Sequence, residues 1–494
     1  MHLTVIVLGA SGDLAKKKTY PALYELFAAD FLPEELDVIG YARSGLTSGD
    51  LRAKLKPFLK GDETFVSQFL NRCTYISGQY DGDVDGQGYA KLQEQLKRLE
   101  EKHSGPSGRL FYLALPPKVY PEVCKGIKDH TSDMSHCCPG SWLRLIVEKP
   151  FGTDLASSNK LAETLGALWP EDQLYRIDHY LGKELVQNLV FMRFTNTFLA
   201  GIWNKEHIDN VQITFKEPFG TDGRGGYFDS VGIIRDVVQN HLLQVLALLA
   251  MEKPVSLQPN DVRDEKCKVL RYIQPLGTSD VVLGQYTGGG GQPGYLDDAT
   301  VPAGSRCPTF ASCVLRIHND RWEGVPFILK AGKALDEKKV EVRVQFRTVP
   351  ASLWEESIAH SHRNELVMRL QPDEAIYMKV NVKQPGWDNN VHMSEMDLSY
   401  KDRYKGLRIP EAYERLILDC IRGDQQHFVR RDELEYAWRI FDPLLHAIDR
   451  GEVDPIPYPY GSRGPRQADQ LRDLLGYVST KGYVYKQVSD RSQQ

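Results

Sequence analysis

The chain has 494 residues, 41% hydrophobic and 26% charged, the balance of a globular protein too long for one ordinary core. A formal net charge of -5 excludes a general affinity for nucleic acid or an anionic membrane and leaves room only for local basic pockets. Eight cysteines without paired zinc-ligand spacing point to free thiols, a reducing cytoplasmic setting and no metal, and no apolar run is long enough to span a bilayer.

Leu3-Thr4-Val5-Ile6-Val7-Leu8 is a short apolar run of the kind that forms a buried parallel strand. It feeds Gly9-Ala10-Ser11-Gly12-Asp13-Leu14-Ala15-Lys16 and then a helical stretch to about Ala29. A strand, a glycine turn and a helix start present backbone N–H groups and a positive helix end to a pyrophosphate. The glycine spacing departs from G-x-G-x-x-G, so position carries this reading more than pattern does. A second strand, Val38-Ile39-Gly40-Tyr41, runs into Ala42-Arg43-Ser44. An acid here would bind a ribose 2′-hydroxyl, whereas Arg43 suits a 2′-phosphate, so NADP is favoured over NAD.

Residues 50–72 and 86–103 read as amphipathic helices. Strands follow at Leu110–Leu115 and Leu143–Glu148, the second running into Lys149-Pro150-Phe151-Gly152. Ligands of such sheets sit at the carboxyl ends of strands, where Tyr112 and Lys149 fall. Pro150 is either a cis residue or a hinge. The αβ alternation stops near Tyr175, which divides the chain into a Rossmann-like domain, 1–175, and an α+β domain, 176–494.

The stretch Arg176-Ile177-Asp178-His179-Tyr180-Leu181-Gly182-Lys183-Glu184 concentrates charge directly after that boundary. In a helix, His179 and Lys183 share one face, and two cationic donors near a helix start make a seat for a phosphate. Asp178 either caps that helix or orients a histidine elsewhere. Val211–Phe215 alternates as a half-buried strand and leads to Lys216-Glu217-Pro218-Phe219-Gly220. Ile233 to Ala250 is a nearly all-apolar helix in which Asp236, Asn240 and His241 need partners, which points to a site at its N-terminal half. Gly288–Gly291 reads as a mobile loop. Alternating segments at 312–317, 340–346, 364–370 and 375–382 indicate a large antiparallel sheet, with a lysine cluster from Lys330 to Lys339 between them. Glu411 to Ile448 reads as helical.

Taken together, the glycine turn at 9–16, Glu148-Lys149-Pro150-Phe151-Gly152, the nine-residue block at 176–184 and Lys216-Glu217-Pro218-Phe219-Gly220 resemble, in order, the glucose-6-phosphate dehydrogenase family. The resemblance implies oxidation of β-D-glucose 6-phosphate at C1 with hydride transfer to NADP, the first oxidative step of the pentose phosphate pathway. It implies His241 as general base and Asp178 as the carboxylate that orients it. His179, Tyr180 and Lys183 would hold the phosphate; Lys149, Glu217, Asp236, Lys333, Lys338 and Gln371 would complete the sugar pocket. Gly9, Ala10, Ser11, Gly12, Asp13, Leu14, Arg43, Tyr112 and Lys149 would bind the cofactor. Lys338 stands where animal members have an arginine. Those members carry a second, structural NADP site, which Lys339, Arg343, Arg369, Tyr377, Lys379 and Arg463 match, while Lys330, Ser479 and Tyr485 depart from it. A homodimer or homotetramer built through the large sheet is implied as well.

Three other readings compete. A sugar-phosphate dehydrogenase of looser range would share the same acid–base pair, a non-catalytic NADPH-sensing protein would not need it, and a metal-dependent dehydrogenase would need a His/Cys ligand set the chain lacks.

Overall fold

Parallel strands cannot be joined by tight turns, so a chain that alternates apolar runs with amphipathic helices builds a sheet covered on both faces. The computed structural model describes residues 1–81, 86–354 and 363–479 and divides into two units. The first comprises Met1–Gly182 with Val255–Arg263 and Pro410–Glu435; the second comprises Lys183–Pro254, Asp264–Ile409 and Tyr436–Gln494. The change therefore falls after Gly182, beyond the expected residue 175, and neither unit is continuous in sequence.

The first unit holds six parallel strands: β1 (His2–Leu8), β2 (Leu36–Ala42), β3 (Cys73–Ser77), β4 (Ser107–Leu113), β5 (Trp142–Glu148) and β6 (Leu174–Ile177). Their order is β3-β2-β1-β4-β5-β6, the doubly wound order whose direction reverses between β1 and β4. Alternate residues of each strand feed separate cores. Leu3, Val5, Val7, Leu110 and Tyr112 join one apolar cluster, and Ile6, Leu8, Phe111 and Leu113 join the other. The helix Ala412–Arg422 belongs to the first of these clusters through Leu416, Ile417, Cys420 and Ile421. A distant segment thus completes a face that the N-terminal half leaves bare, at roughly 1.5–3 kcal/mol for each large apolar side chain buried.

The second unit is built on a nine-stranded sheet: β7 (Ile208–Lys216), β8 (Val281–Thr287), β9 (Phe310–Arg316), β10 (Pro326–Gly332), β11 (Lys339–Phe346), β12 (Glu365–Gln371), β13 (Ala375–Lys383), β14 (Val391–Ser399) and β15 (Ile456–Pro459). The order is β14-β13-β12-β11-β7-β10-β9-β8-β15. All pairs are antiparallel except β7 with β10 and β8 with β15. The glycine run at 288–291, expected as a loop, lies in a tight turn in which Gly289 and Gln292 exchange backbone hydrogen bonds of 3.1 and 3.0 Å. The long apolar helix is not uniform either. Ile234–Leu242 is wound in wide π-type turns before ordinary α-helix resumes at Leu243–Ala250.

One buried polar group in the first sheet departs from its ordinary chemistry. Glu148 ends β5 and is 5% exposed; Tyr112 donates its hydroxyl to Glu148 Oε1 at 2.5 Å, and Tyr120 donates to the Glu148 carbonyl at 2.9 Å. Burial pushes the Glu148 carboxyl up to about 7, and Asp178 adds to that, against the opposing pull of the Tyr112 hydrogen bond and the Lys149 charge. The folded protein therefore holds this proton more tightly than the unfolded chain does. Its stabilising effect is complete below pH 4.5 and is lost as the pH rises to about 7, a span worth roughly 3 kcal/mol. Glu148→Gln removes the titration and keeps the shape. Unfolding free energies from denaturant titrations should match wild type near pH 4.5 and exceed it by up to about 3 kcal/mol at pH 8, with the gain vanishing on acidification.

Candidate active site

At the carboxyl edge of the first sheet the chain leaves β1 through Gly9, whose φ of +81° is open to glycine alone at low cost. A Cβ there would lie 2.3 Å from the Ala114 carbonyl oxygen, so a side chain is excluded by space as well as by conformation. Gly9 N–H donates to the Tyr41 carbonyl at 2.8 Å, and Gly12 N–H donates to Gly9 at 2.8 Å, which folds the turn tightly over the strand end. Ala10 is buried beneath it, while Ser11, Gly12, Asp13 and Leu14 lie nearer the surface. Asp13 is ion-paired with Lys16 and Lys17, which hold its carboxyl below the usual range.

Ser11 Oγ lies 3.1 Å from Ser44 Oγ, joining this turn to the one after β2. Arg43 is exposed beside Ser44, with its guanidinium 5.3 Å from the centre of the Tyr80 ring. A cation at the end of β2, on a strand that carries no acid after Tyr41, is the donor chemistry a 2′-phosphate requires, so the residues present fit NADP. Tyr80 was not among the expected cofactor residues. Its ring contact with Arg43 joins the ends of β2 and β3, and only the parallel pairing of those strands, Ala42 with Ser77, brings the two together.

Tyr112 does not present itself to a ligand. Its position at the end of β4 is as expected, but its ring points into the apolar cluster, it is fully buried, and its hydroxyl is spent on Glu148. Alternation along the strand decides this: Phe111 and Leu113 face one core and Tyr112 the other. The bond Lys149–Pro150 is cis, which settles one of the two readings of that proline.

Glu148 pairs with Ile177 across β5 and β6, so Lys149 and Asp178 are the next residues on neighbouring parallel strands. Asp178 is 3% exposed, and its Oδ1 accepts from the Tyr180 N–H at 2.9 Å. It therefore caps the turn that follows, one of the two roles open to it. The expected helical face shared by His179 and Lys183 is absent. His179–Gly182 is a tight 3₁₀ turn, and Lys183 has extended backbone before the helix Glu184–Thr195. At the end of this turn Gly182 has no room for a side chain, since a Cβ on it would meet the Ala412 carbonyl at 2.5 Å. The His179 ring stacks on Tyr413 at 6.0 Å and 7°, and Tyr180 is buried.

In the second unit the same logic of paired strand ends recurs. Lys216 is level with Gly332 across parallel β7 and β10, so Glu217 and Lys333 follow side by side and form an ion pair of 2.6 Å. Lys183 donates to Gln371 Oε1, joining residues 188 positions apart. His241 is 3% exposed on the π-type turns, and Asp236 lies five residues earlier on the same turns. Lys338 is exposed just before β11.

Lys330, Lys339, Arg343, Lys379 and Arg463 line a basic cavity of about 310 Å³ in this unit. Acids in and behind its lining answer them: Arg343 holds Glu341 at 2.6 Å and Glu365 at 2.7 Å, and Lys379 holds Glu365 at 2.7 Å. Burial resists ionisation of Glu337, yet Lys339 and Lys216 bring it down to about 2. Ser479 also lines this cavity, whereas Tyr485 lies outside the described residues.

Comparison with known proteins agrees along nearly the whole chain. The family described as "Glucose-6-phosphate dehydrogenase, NAD binding domain" matches residues 6–188, and "Glucose-6-phosphate dehydrogenase, C-terminal domain" matches residues 190–477. Glucose-6-phosphate 1-dehydrogenase 6, cytoplasmic, of Arabidopsis thaliana is 56% identical over 492 residues, covering 98% of this chain and 93% of that protein. Glucose-6-phosphate 1-dehydrogenase of Takifugu rubripes is 53% identical over 482 residues, covering 96% and 88%. A solved structure described as glucose-6-phosphate dehydrogenase in complex with its substrate glucose-6-phosphate superposes with a TM-score of 0.91 at 49% identity, covering 98% of this chain and 99% of the other. With both halves of the family matched in order and relatives more than half identical over nearly the full length, this chain belongs to the glucose-6-phosphate dehydrogenase family.

Proposed function

We propose the residue roles by which this chain oxidises C1 of β-D-glucose 6-phosphate to 6-phosphoglucono-1,5-lactone. NADP supplies the hydride acceptor. The C1 hydroxyl must shed its proton as hydride leaves, because otherwise positive charge builds on the carbon. His241 takes that proton, since an imidazole titrates near neutrality and serves as a base at working pH. Asp178 orients the imidazole and favours the imidazolium that forms. Lys183, with His179 and Tyr180, holds the phosphate by charge and hydrogen bonds. Glu217 and Lys333 face the sugar hydroxyls as a donor–acceptor pair, joined by Lys149, Asp236, Lys338 and Gln371. Gly9, Ala10, Ser11, Gly12, Asp13 and Leu14 form the pyrophosphate turn, and Arg43 with Tyr80 receives the adenosine 2′-phosphate.

The observation that carries the substrate assignment is the hydrogen bond between Lys183 and Gln371, two expected pocket residues far apart in sequence. We further propose that the chain forms a homodimer or homotetramer through the large sheet. At its β13–β14 end, the exposed Val382, Trp387 and Met396 form an apolar edge that a second copy would cover. A cytoplasmic location accords with relatives in Arabidopsis thaliana and Solanum tuberosum that are named cytoplasmic. Among the described residues no helix is long and apolar enough to cross a membrane.

Absorbance of the reduced nicotinamide, followed with glucose 6-phosphate and either NADP or NAD, tests these roles. His241→Asn should lower kcat by about 10²-fold or more with little change in KM. A variant with normal kcat would remove His241 from the chemistry. Lys183→Ala should raise KM for glucose 6-phosphate by at least about tenfold at nearly constant kcat. Arg43→Ala should raise KM for NADP and leave KM for NAD nearly unchanged, narrowing the preference between them. A wild-type chain that binds NADPH but reduces no NADP would favour the sensor reading.

A further inference from the structure

Away from the cofactor edge, near the amino end of β4, three metal-ligating side chains of different chemistry converge. Glu100 ends the helix Gly86–Glu100, and His136 and Cys137 lie in the loop that follows the helix Tyr120–Thr131. A carboxylate oxygen of Glu100, a ring nitrogen of His136 and the Cys137 sulfur all lie within 4.8 Å of one another. We propose that Glu100, His136 and Cys137 bind a thiophilic divalent cation of the Zn²⁺ or Cd²⁺ type, with water in the fourth position.

The donor set suits such an ion: one imidazole, one thiolate and one carboxylate are the ligands of tetrahedral zinc sites, and three protein ligands leave one position open. The spacing is right as well. Metal–ligand bonds of about 2.0–2.3 Å place neighbouring donors roughly 3–4 Å apart, so the group needs only a slight contraction. His136 Nε2 is 2.7 Å from Glu100 Oε2, so a bridging proton now occupies the place an ion would take.

The support behind the ligands is built. Glu100 is 4% exposed, and Arg109 grips it with Nε on Oε1 and Nη2 on Oε2, both at 2.6 Å. That clamp uses one lone pair on each oxygen, keeps the carboxylate ionised and aims its remaining lone pairs at the loop. Arg109 is held in turn by Gln93 at 3.1 Å and the Thr131 carbonyl at 2.6 Å. The loop is pinned where it matters. Cys137 N–H donates to the Met134 carbonyl at 2.9 Å, and Ser141 Oγ donates to the Cys138 carbonyl at 2.7 Å. His136 and Cys137 remain partly exposed, which provides an entry path. The neighbouring Cys138 is not a ligand, since its thiol is aimed at the Ser104 carbonyl, 3.4 Å away. On binding, the Cys137 thiol proton leaves to solvent and the His136 proton resides on Nδ1, so the ion meets a thiolate and a neutral imidazole.

The test is a titration of the fully reduced protein with Cd²⁺, following the thiolate-to-metal charge-transfer absorbance, with a competing chelator to measure affinity. Wild type and Cys138→Ser should each take up one equivalent with the same affinity. Cys137→Ser should lose that absorbance, and His136→Asn should bind at least about tenfold more weakly. Metal-free kcat, unchanged in all three variants, shows that they fold. A wild type without a saturable one-equivalent signal overturns the proposal, as does a Cys137→Ser variant that keeps it. Loss of the signal in Cys138→Ser also overturns it, because the adjacent thiols would then be the site.

Discussion

Parallel strands that hydrogen-bond in register must end level with one another, and that constraint places nearly every residue of interest in the first unit. Leu8 is paired with both Tyr41 and Leu113, Leu113 with Val147, and Glu148 with Ile177. The residues that follow these strand ends are Gly9, Arg43, Lys149 and Asp178, drawn from across most of the first 180 positions. Reversal of strand order between β1 and β4 leaves a gap in the covering helices at that edge, where a ligand fits. The same device operates once more in the second unit, where parallel β7 and β10 deliver Glu217 and Lys333 side by side within a sheet that is otherwise mainly antiparallel.

Close backbone approach at the strand ends has a cost that the sequence meets with glycine. Gly9 tolerates both a positive φ and contact with the Ala114 carbonyl, and Gly182 tolerates contact with Ala412. Neither position has room for a side chain, so the turn after β1 and the break after His179–Gly182 are dictated by packing as much as by local propensity. The wide turns at Ile234–Leu242 are a comparable departure. They carry both Asp236 and His241, and they widen the backbone spiral at the residues the mechanism uses.

Buried charge divides the molecule into two regimes. In the basic cavity of the second unit, acids and bases neutralise each other in a dense network, with Arg343 between Glu341 and Glu365. Beneath the cofactor edge Glu148 lies beside the Asp178 carboxylate with one hydroxyl partner, and burial raises its pKa to about 7, so it holds its proton through the mildly acidic range. Pairing is favourable where several cations converge, and protonation is cheaper where only a phenol and one lysine are at hand.

Much of the plan was legible in the linear sequence, because alternation, glycine placement and the charge of the residue after a strand are local properties. The first strand, its turn, Arg43 in place of an acid, the alternating segments of the large sheet and the ordered blocks that mark the family all follow from neighbours in the chain. What sequence alone could not decide depends on partners far away in it. Tyr112 stood at the right end of the right strand, yet only the pleat of the folded sheet showed its ring turned into the core and its hydroxyl given to Glu148. Tyr80 became a neighbour of Arg43 only through strand pairing, and Pro410–Glu435 joined the first unit only because an apolar face there needed covering. Local sequence determined which surfaces are apolar and which turns are possible; tertiary packing, driven by the removal of those surfaces from water, determined which of them meet.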